Sequence, residues 1–392
     1  MENFNGLYLD AAATTKVKQE VIDAMMPYFN DLWYNPSALY SPSVKVKSQV
    51  ENSRKIVADF IGAEAGEIYF TSGGSESNAT AIKGWVEKRL TNNVLNMTKL
   101  VVITTPIEHK SIITMEDSIV SRYAIFEYVN VNKHGEVDID CLERQLEYYS
   151  TAGYNILVSI HFANSEIGTI QKIGKISSIV HEYGAVFHVD ATQAFGQVPI
   201  NIKAMGIDML SASGHKIGTP KGIGVLYKNK DVEIEPLIYG SQMENMRGGT
   251  ENVPYIIGMA KAVELTKHYA DKGSLITEAK RNYLIKKLED MGCSLNGSRY
   301  NRLPNNINIK LPEGINGESA IYTLDLSNVF IASGSACNSH AVEPSYVLKA
   351  IGLTDQEAMR SIRITLPEDI SYDDIDKFIE ELEKAIKIIQ LD

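Results

Sequence analysis

The stretch SASGHKIGTPKGIG, residues Ser211–Gly224, decides how the rest of the chain is read. It sets one lysine, Lys216, in a run of small and polar residues. An apolar segment, Ile207–Leu210, precedes it and another, Ile223–Tyr227, follows. Both read as short buried strands. Lys216 then lies on a tight connection at strand ends, where functional side chains are concentrated. The serines and His215 beside it can hydrogen-bond an anionic ligand. A lone loop lysine is usually held by solvent, so its meaning depends on the polar clusters elsewhere.

Those clusters fall at strand ends too. Ile68–Thr71 reads as a strand, Ser72–Ser75 (SGGS) as its exit and Glu76–Leu90 as a helix. A glycine pair there lets backbone N–H groups approach an anion at the helix start. Leu100–Thr104 is a strand followed by IEHKS, with His109 at its carboxyl end; alone, this is an ordinary surface histidine. Ile156–Ile160 runs into HFANSEIGTIQ, which carries Asn164 and Glu166. Helix Lys175–Glu182 leads to strand Val186–Val189 and then DATQAFGQVPI. Asp190 thus sits at a strand's carboxyl end, where ligands of open α/β sheets gather, as a charge partner or as a helix cap. Strands alternating with helices over residues 68–227 imply a mostly parallel sheet covered on both faces.

The flanks complete an α/β chain of 392 residues, long enough for one large and one small domain. A strand-like Leu7–Leu9 opens it, a turn-rich aromatic stretch spans Trp33–Pro42, and a long helix is expected from Ser43 to Ile61, stopped by Gly62. Helical spacing returns over Pro254–Tyr269 and Ser274–Met291. The last third reads as an α+β unit: strands Ile307–Lys310 and Ser361–Leu366, helices Glu318–Leu324, Tyr346–Ile351 and Tyr372–Gln390. The boundary is placed near residue 262, giving a large domain of 17–262 and a small one of 1–16 with 263–392.

Apolar content is 44% and charged content 22%, ordinary for a globular protein. A net charge of −11 argues against broad nucleic-acid affinity. No apolar run approaches a membrane span, and MENFNGLYLDAAATT has no signal-peptide pattern, so a cytoplasmic protein is expected. The three cysteines, Cys141, Cys293 and Cys337, are far apart and fit neither a disulfide framework nor a zinc ribbon. No metal is expected.

A lysine amine, a strand-end aspartate, a histidine able to stack on a ring and a glycine-rich helix start are together the protein's share of a pyridoxal phosphate site. The motifs that carry this resemble the cysteine desulfurases of the class V aminotransferase superfamily, fold type I. They are YLDAAATT, YNPSA, FTSGGSESN, IEHKS, NSEIGTIQ, HVDATQAFGQ, SGHKIGTPKGIG, RGGTEN and SGSACNSHAVEPSYVL, in that order along the chain. The resemblance implies a mostly parallel seven-stranded sheet between helices in the large domain, with a smaller α+β domain beside it.

It also implies roles. Lys216 corresponds to the Schiff-base lysine, Asp190 to the partner of the pyridine nitrogen and Gln193 to the donor to the phenolic oxygen. His109 corresponds to the stacking and proton-transfer histidine. Gly74, Ser75, Ser213 and His215 correspond to phosphate contacts. Thr250 resembles a residue that reaches the phosphate of a neighbouring subunit, which implies a homodimer. Asn164 and Arg363, with help from Asn35, resemble the holders of the substrate carboxylate. In SIRITL, Ile362, Ile364 and Leu366 share one face and leave the Arg363 guanidinium on the other, free for a carboxylate or for an interdomain salt bridge.

Cys337 selects the function within the superfamily. Its surroundings, ASGSACNSHAVEPS, have no apolar periodicity and predict a mobile loop. Cys141 and Cys293 are expected to be small buried hydrophobes. The SGSAC pattern resembles the group I desulfurases, in which the cysteine thiolate takes sulfur from L-cysteine, releases L-alanine and passes the persulfide on. The resemblance implies a sulfur-acceptor protein, of iron–sulfur cluster assembly, tRNA thiolation or cofactor synthesis. The alternatives are a selenocysteine lyase, another class V aminotransferase, or a non-catalytic subunit that binds a sulfur-transfer partner. Two departures stand out. YGSQMENMR is about one residue shorter than the family's GGGQE-type run, and the chain ends at IIQLD, without the longer tail that engages an iron–sulfur scaffold.

Overall fold

The computed structural model describes residues 6–91, 99–269, 273–333 and 343–391. Thirteen strands run along these residues. They are β1 Leu7–Tyr8, β2 Ile68–Thr71, β3 Leu100–Thr104, β4 Ile125–Tyr128, β5 Asn155–His161, β6 Val186–Asp190, β7 Met209–Ser213 and β8 Gly224–Lys228, followed by β9 Ser294–Leu295, β10 Asn306–Lys310, β11 Val329–Phe330, β12 Ala332–Ser333 and β13 Ser361–Thr365. Seven of them form the central sheet, in the order β2-β8-β7-β6-β5-β3-β4. Only β8 runs against its neighbours, pairing antiparallel with both β2 and β7. The expected mostly parallel seven-stranded sheet is therefore present, with the carboxyl ends of β2, β7, β6, β5 and β3 on one edge.

The strands beside Lys216 sit slightly later than their apolar runs suggest. β7 ends at Ser213 and β8 begins at Gly224, with Ser213 opposite Gly224 in register. The small polar residues Ser211 and Ser213 belong to the strand because their backbone groups are buried there and need ladder partners. Edge strand β4 and the helix Ile139–Thr151 are not among the elements expected from the sequence. β4 is mostly half-exposed and lacks the continuous apolar run of its inner neighbours.

Helix Ser41–Ile61 buries Val46, Val50, Val57 and Ile61 on one stripe and ends at Gly62, whose φ of 76° is the left-handed cap that glycine favours. That stripe packs on helix Val253–His268. Apolar residues from Val21 to Val263, joined by Leu303, form one continuous core around the large sheet. A second core gathers Leu9, Leu284, Leu288, Ile307, Ile362, Phe378 and Leu382 about the sheet β12-β13-β10-β9. The N-terminal strand β1 pairs in parallel with β11 and so joins this second core rather than the first. A third, small cluster unites Ile107 and Ile167 with Val347, Leu348, Ile351 and Ala358.

Cys293 is buried, and its burial pushes the thiol up to about 12. Cys141 is only partly buried, at the start of helix Ile139–Thr151. Cys337 lies outside the described residues. No helix among the described residues is long and apolar enough to cross a membrane.

Candidate active site

The carboxyl edge of the large sheet opens into a cavity of about 230 Å³. Five of the sheet's seven strands deliver polar groups to it, as expected for a site at strand ends. The connection after β2 supplies Gly74 and Ser75, the one after β7 supplies Ser213, His215 and Lys216, and β6 supplies Asp190 with Gln193. β5 adds His161 and, beyond it, Asn164, while the turn after β3 adds His109. Nine of the sequence-predicted site residues therefore converge on one space.

Lys216 closes a 3-10 turn, Gly214–Lys216, that begins at the last residue of β7. Its Nζ donates to the carbonyl oxygens of Ala12 at 2.5 Å and Ala13 at 2.8 Å. Burial lowers the amine to about 8, helped by the Arg363 charge, while Asp10 and Asp190 oppose the shift. A lysine with a depressed pKa has a larger neutral fraction near physiological pH, which suits it to attack a carbonyl. His215 turns its Nδ1 to the Thr14 hydroxyl at 3.1 Å, and burial, then Lys216 and Lys221, lowers it to about 4. It is therefore neutral at physiological pH.

Asp190 is only 5% exposed, so its carboxylate needs partners. Asn78 Nδ2 donates to one oxygen at 2.8 Å, and the Thr192 backbone N–H donates to the other at 2.9 Å. Asn78, on helix Gly74–Thr91, also donates to the Ser111 hydroxyl at 3.0 Å. Beneath Asp190 on the same strand, His188 is fully buried between the hydroxyls of Ser159 and Ser211, at 2.8 and 2.9 Å. Burial drives it down to about 4, so it is a neutral bridge across three strands.

His109 caps the short helix Lys110–Ile113 by accepting from the Ser111 N–H at 3.1 Å, and its ring remains exposed on the cavity wall. Gln193 Nε2 donates to the Ala12 carbonyl at 3.1 Å. The Asn164 side chain is committed to its own turn: Oδ1 accepts from the Glu166 and Ile167 N–H groups, and Nδ2 donates to the Ile107 carbonyl. It faces the cavity as a rigid post.

Three predicted residues stand elsewhere. Asn35 is exposed, with Oδ1 accepting from the Ser37 N–H, and Thr250 is exposed on its loop; neither lines the cavity. Arg363 is also absent from the cavity lining, although it is close enough to depress Lys216. Its guanidinium is not free: Nη2 is ion-paired with Asp10 at 2.7 Å and Nη1 donates to the Ser165 carbonyl at 3.2 Å. The flanking Ile362 and Ile364 are buried as their alternation requires, and Arg363 Nε is buried without a partner.

The N-terminal segment Asp10–Thr15 is the part of the site that sequence reasoning undervalued. It supplies the Arg363 partner, the carbonyls that hold Lys216 and Gln193, and a Thr15 hydroxyl that donates to the His215 carbonyl. The run DAAATT offers no functional side chain beyond Asp10 and its threonines, so only its backbone reveals the role. Glu166 is a second such case. Burial raises its carboxyl to about 7, against a hydrogen bond from Ser345 and the charges of Arg363 and Lys110.

The donor set fits pyridoxal phosphate. Gly74, Ser75 and Asn78, in the first turns of helix Gly74–Thr91, line the cavity, where a helix start favours an anion, and a Cβ on Gly74 would come within 2.6 Å of the Thr192 hydroxyl, so a side chain there would crowd the approach. A buried carboxylate, an amine of lowered pKa and hydroxyl donors complete the match to a zwitterionic ring bearing an aldehyde and a phosphate.

Residues 7–378 match the family described as Aminotransferase class-V. A cysteine desulfurase, IscS, of Dictyoglomus turgidum is 41% identical over 384 residues, covering 97% of this chain and 94% of that protein. IscS of Methanosarcina thermophila is 39% identical, over 97% of this chain and 92% of its own length. Among solved structures, a NifS-like protein from Rickettsia africae superposes with a TM-score of 0.84 at 31% identity, covering 98% of this chain and all of that one (100%). SspA in complex with cysteine gives a TM-score of 0.79 at 36% identity, over 92% of this chain and 99% of SspA. The chain belongs to the class V aminotransferase family and, within it, to the cysteine desulfurases.

Proposed function

We propose that the chain uses pyridoxal phosphate to convert L-cysteine to L-alanine, with the sulfur leaving on Cys337 and passing to an acceptor protein. The observation that carries this reading is the lodging of the Lys216 amine and the Asp190 carboxylate in one cavity with the N-terminus of helix Gly74–Thr91. Lys216 would hold the cofactor aldehyde. Gly74, Ser75, Ser213 and His215 would hold its phosphate, Asp190 its ring nitrogen and Gln193 its phenolic oxygen. When bound, the cofactor supplies an electron sink that weakens the substrate's carbon–sulfur bond.

The chain's own residues do the rest. Lys216, once released, is the base placed to move the substrate's Cα proton, and its lowered pKa leaves part of it unprotonated for that purpose. His109 is exposed on the wall for stacking and proton transfer. Arg363 and Asn164 would orient the substrate carboxylate, with Asp10 fixing the guanidinium. The Cys337 thiolate attacks the substrate sulfur; the carbon–sulfur electron pair stays with the carbon fragment, which is protonated to alanine. A persulfide on Cys337 is the product that the acceptor consumes.

We further read 17–262 as the large domain and 1–16 with 263–392 as the small one, supported by the two separate apolar cores. A homodimer is supported by exposed apolar side chains that a single chain leaves uncovered, among them Trp33, Leu39 and Tyr239 at 67%, 95% and 73% exposure. Thr250 and Asn35, both exposed on this chain, then have the partner's cavity as their place of action. A cytoplasmic setting is supported by Cys141 and Cys293, which are free thiols. Purified protein loaded with pyridoxal phosphate and given L-cysteine should yield alanine and thiol-releasable sulfide in equal amounts. Pyruvate or a keto acid in place of alanine would favour an aminotransferase.

A further inference from the structure

Helix Tyr346–Ala350, whose N-cap Ser345 lies eight positions after Cys337, is docked by three independent means on the two turns that wall the cavity. Ser345, its N-cap, accepts from the Leu348 N–H and donates its own hydroxyl to Glu166 Oε2 at 2.5 Å. Tyr346 OH donates to the Glu108 carbonyl at 2.7 Å, immediately before His109. Val347 and Leu348 pack on Ile107 and Ile167. Ser345 and Glu166 are 3% and 7% exposed, so the bond between them is cut off from water. Glu166 is equally constrained from behind: its N–H donates to Asn164 Oδ1, and its carbonyl accepts from Asn308 Nδ2.

A buried carboxylate is costly to maintain for packing alone, and an apolar residue would seal this junction at lower cost. Nothing in the proposed chemistry uses Glu166 as an acid or base, and it is not among the residues lining the cavity. What its place does provide is a fixed joint between the turn bearing Asn164 and the point at which the chain returns from the cysteine segment. Eight residues span at most about 28 Å when extended. The anchor at Ser345 therefore bounds how far Cys337 can range from the cavity rim.

We infer that Glu166 is a positioning residue: through Ser345 it fixes the C-terminal root of the segment bearing Cys337 to the cavity wall and thereby sets the rate at which that thiol meets the substrate sulfur. The inference rests on the proposed role of Cys337. Glu166 itself touches no reacting atom and is not a catalytic residue.

The test uses the cofactor-loaded protein with Glu166→Ala, Glu166→Gln and Ser345→Ala. Glutamine retains an oxygen that can accept from the Ser345 hydroxyl, whereas alanine does not. Hydrogen exchange of amides in residues 345–351 should accelerate roughly ten-fold or more in Glu166→Ala and Ser345→Ala, and much less in Glu166→Gln, the scale expected for loss of a buried charge-assisted bond. In a single turnover, sulfur addition to Cys337 should slow by a similar factor in the two alanine variants. The cofactor absorbance and its change on mixing with L-cysteine should stay as in wild type, and glutamine should restore the rate. Unchanged exchange in both alanine variants would overturn the anchor. Faster exchange with an unchanged single-turnover rate would overturn the positioning role. Should wild type add no sulfur to Cys337, the functional reading falls and the positioning role with it, while the anchor itself is still decided by exchange.

Discussion

Arg363 Nη2 and Asp10 Oδ1 lie 2.7 Å apart, an ion pair that joins positions 353 apart in the chain. Both side chains are largely buried, at 12% and 18% exposure. Asp10 thus occupies one edge of the guanidinium assigned to the substrate carboxylate and fixes the direction in which the remaining N–H groups point. Asp10→Asn should raise KM for L-cysteine roughly ten-fold with a smaller change in kcat, because one charge-assisted contact is lost from a binding group rather than from a reacting one. It should also lower the unfolding free energy by about 1–3 kcal/mol. Steady-state kinetics and denaturant titration check the two halves separately. An unchanged KM would remove Asp10 from substrate orientation.

Lys216 makes a prediction whose sign follows from its burial. Its amine is lowered to about 8 from an ordinary value of 10.5. Between those pH values the unfolded chain binds more protons than the folded one, so folding stability rises with pH through that window and the penalty is fully present below pH 8. Relative to Lys216→Met, cofactor-free wild type should therefore gain about 1–3 kcal/mol on going from pH 8 to 10.5. A pH series of denaturant unfolding curves reads this directly. A flat difference would mean that the amine is not perturbed.

Asp190 depends on Asn78. Replacing Asp190 with Asn should cut turnover by about a hundred-fold or more, as expected when a charge poised on the reacting system is removed. Asn78→Ala should cost less, about ten-fold, because Asp190 keeps the Thr192 N–H. Cofactor absorbance at equal loading distinguishes lost chemistry from lost binding. Equal activity in Asp190→Asn would contradict the ring-nitrogen role.

The exposed aromatic and aliphatic residues predict association. Leu39→Glu combined with Trp33→Glu should convert a dimer to a monomer in sedimentation. If Thr250 and Asn35 act across the interface, turnover should fall with dissociation. A monomeric wild type would remove both the dimer and the cross-subunit role.

Much of this architecture is legible in the residues. Inner strands such as Leu100–Thr104 are continuous apolar runs, and the alternation in SIRITL places Arg363 opposite Ile362 and Ile364 before any coordinates are seen. Edge strand β4 is not, since a strand covered on one side needs no such run. Asp190, Lys216 and His109 are each ordinary when read singly; they are legible because several polar clusters fall at strand ends together, in motifs that resemble one family. The backbone carbonyls of Ala12 and Ala13 escaped because a main-chain acceptor has no sequence signature. The Arg363–Asp10 pair escaped because its two halves lie at opposite ends of the chain and meet only after β1 pairs with β11. The shortened YGSQMENMR segment gained a meaning only in three dimensions. Met243, Glu244 and Asn245 all adopt φ near 46–66°, a strained run for non-glycine residues, and Arg54 grips Glu244 with Nη1 at 3.0 and 3.1 Å.

The most direct measurement is the mass of the peptide containing Cys337 after the cofactor-loaded protein meets L-cysteine without a thiol reductant. The account predicts one added sulfur atom on that peptide, matched by one alanine released, and neither in Lys216→Ala. Alanine released at the wild-type rate while the Cys337 peptide stays unmodified, or by Cys337→Ala, would contradict it.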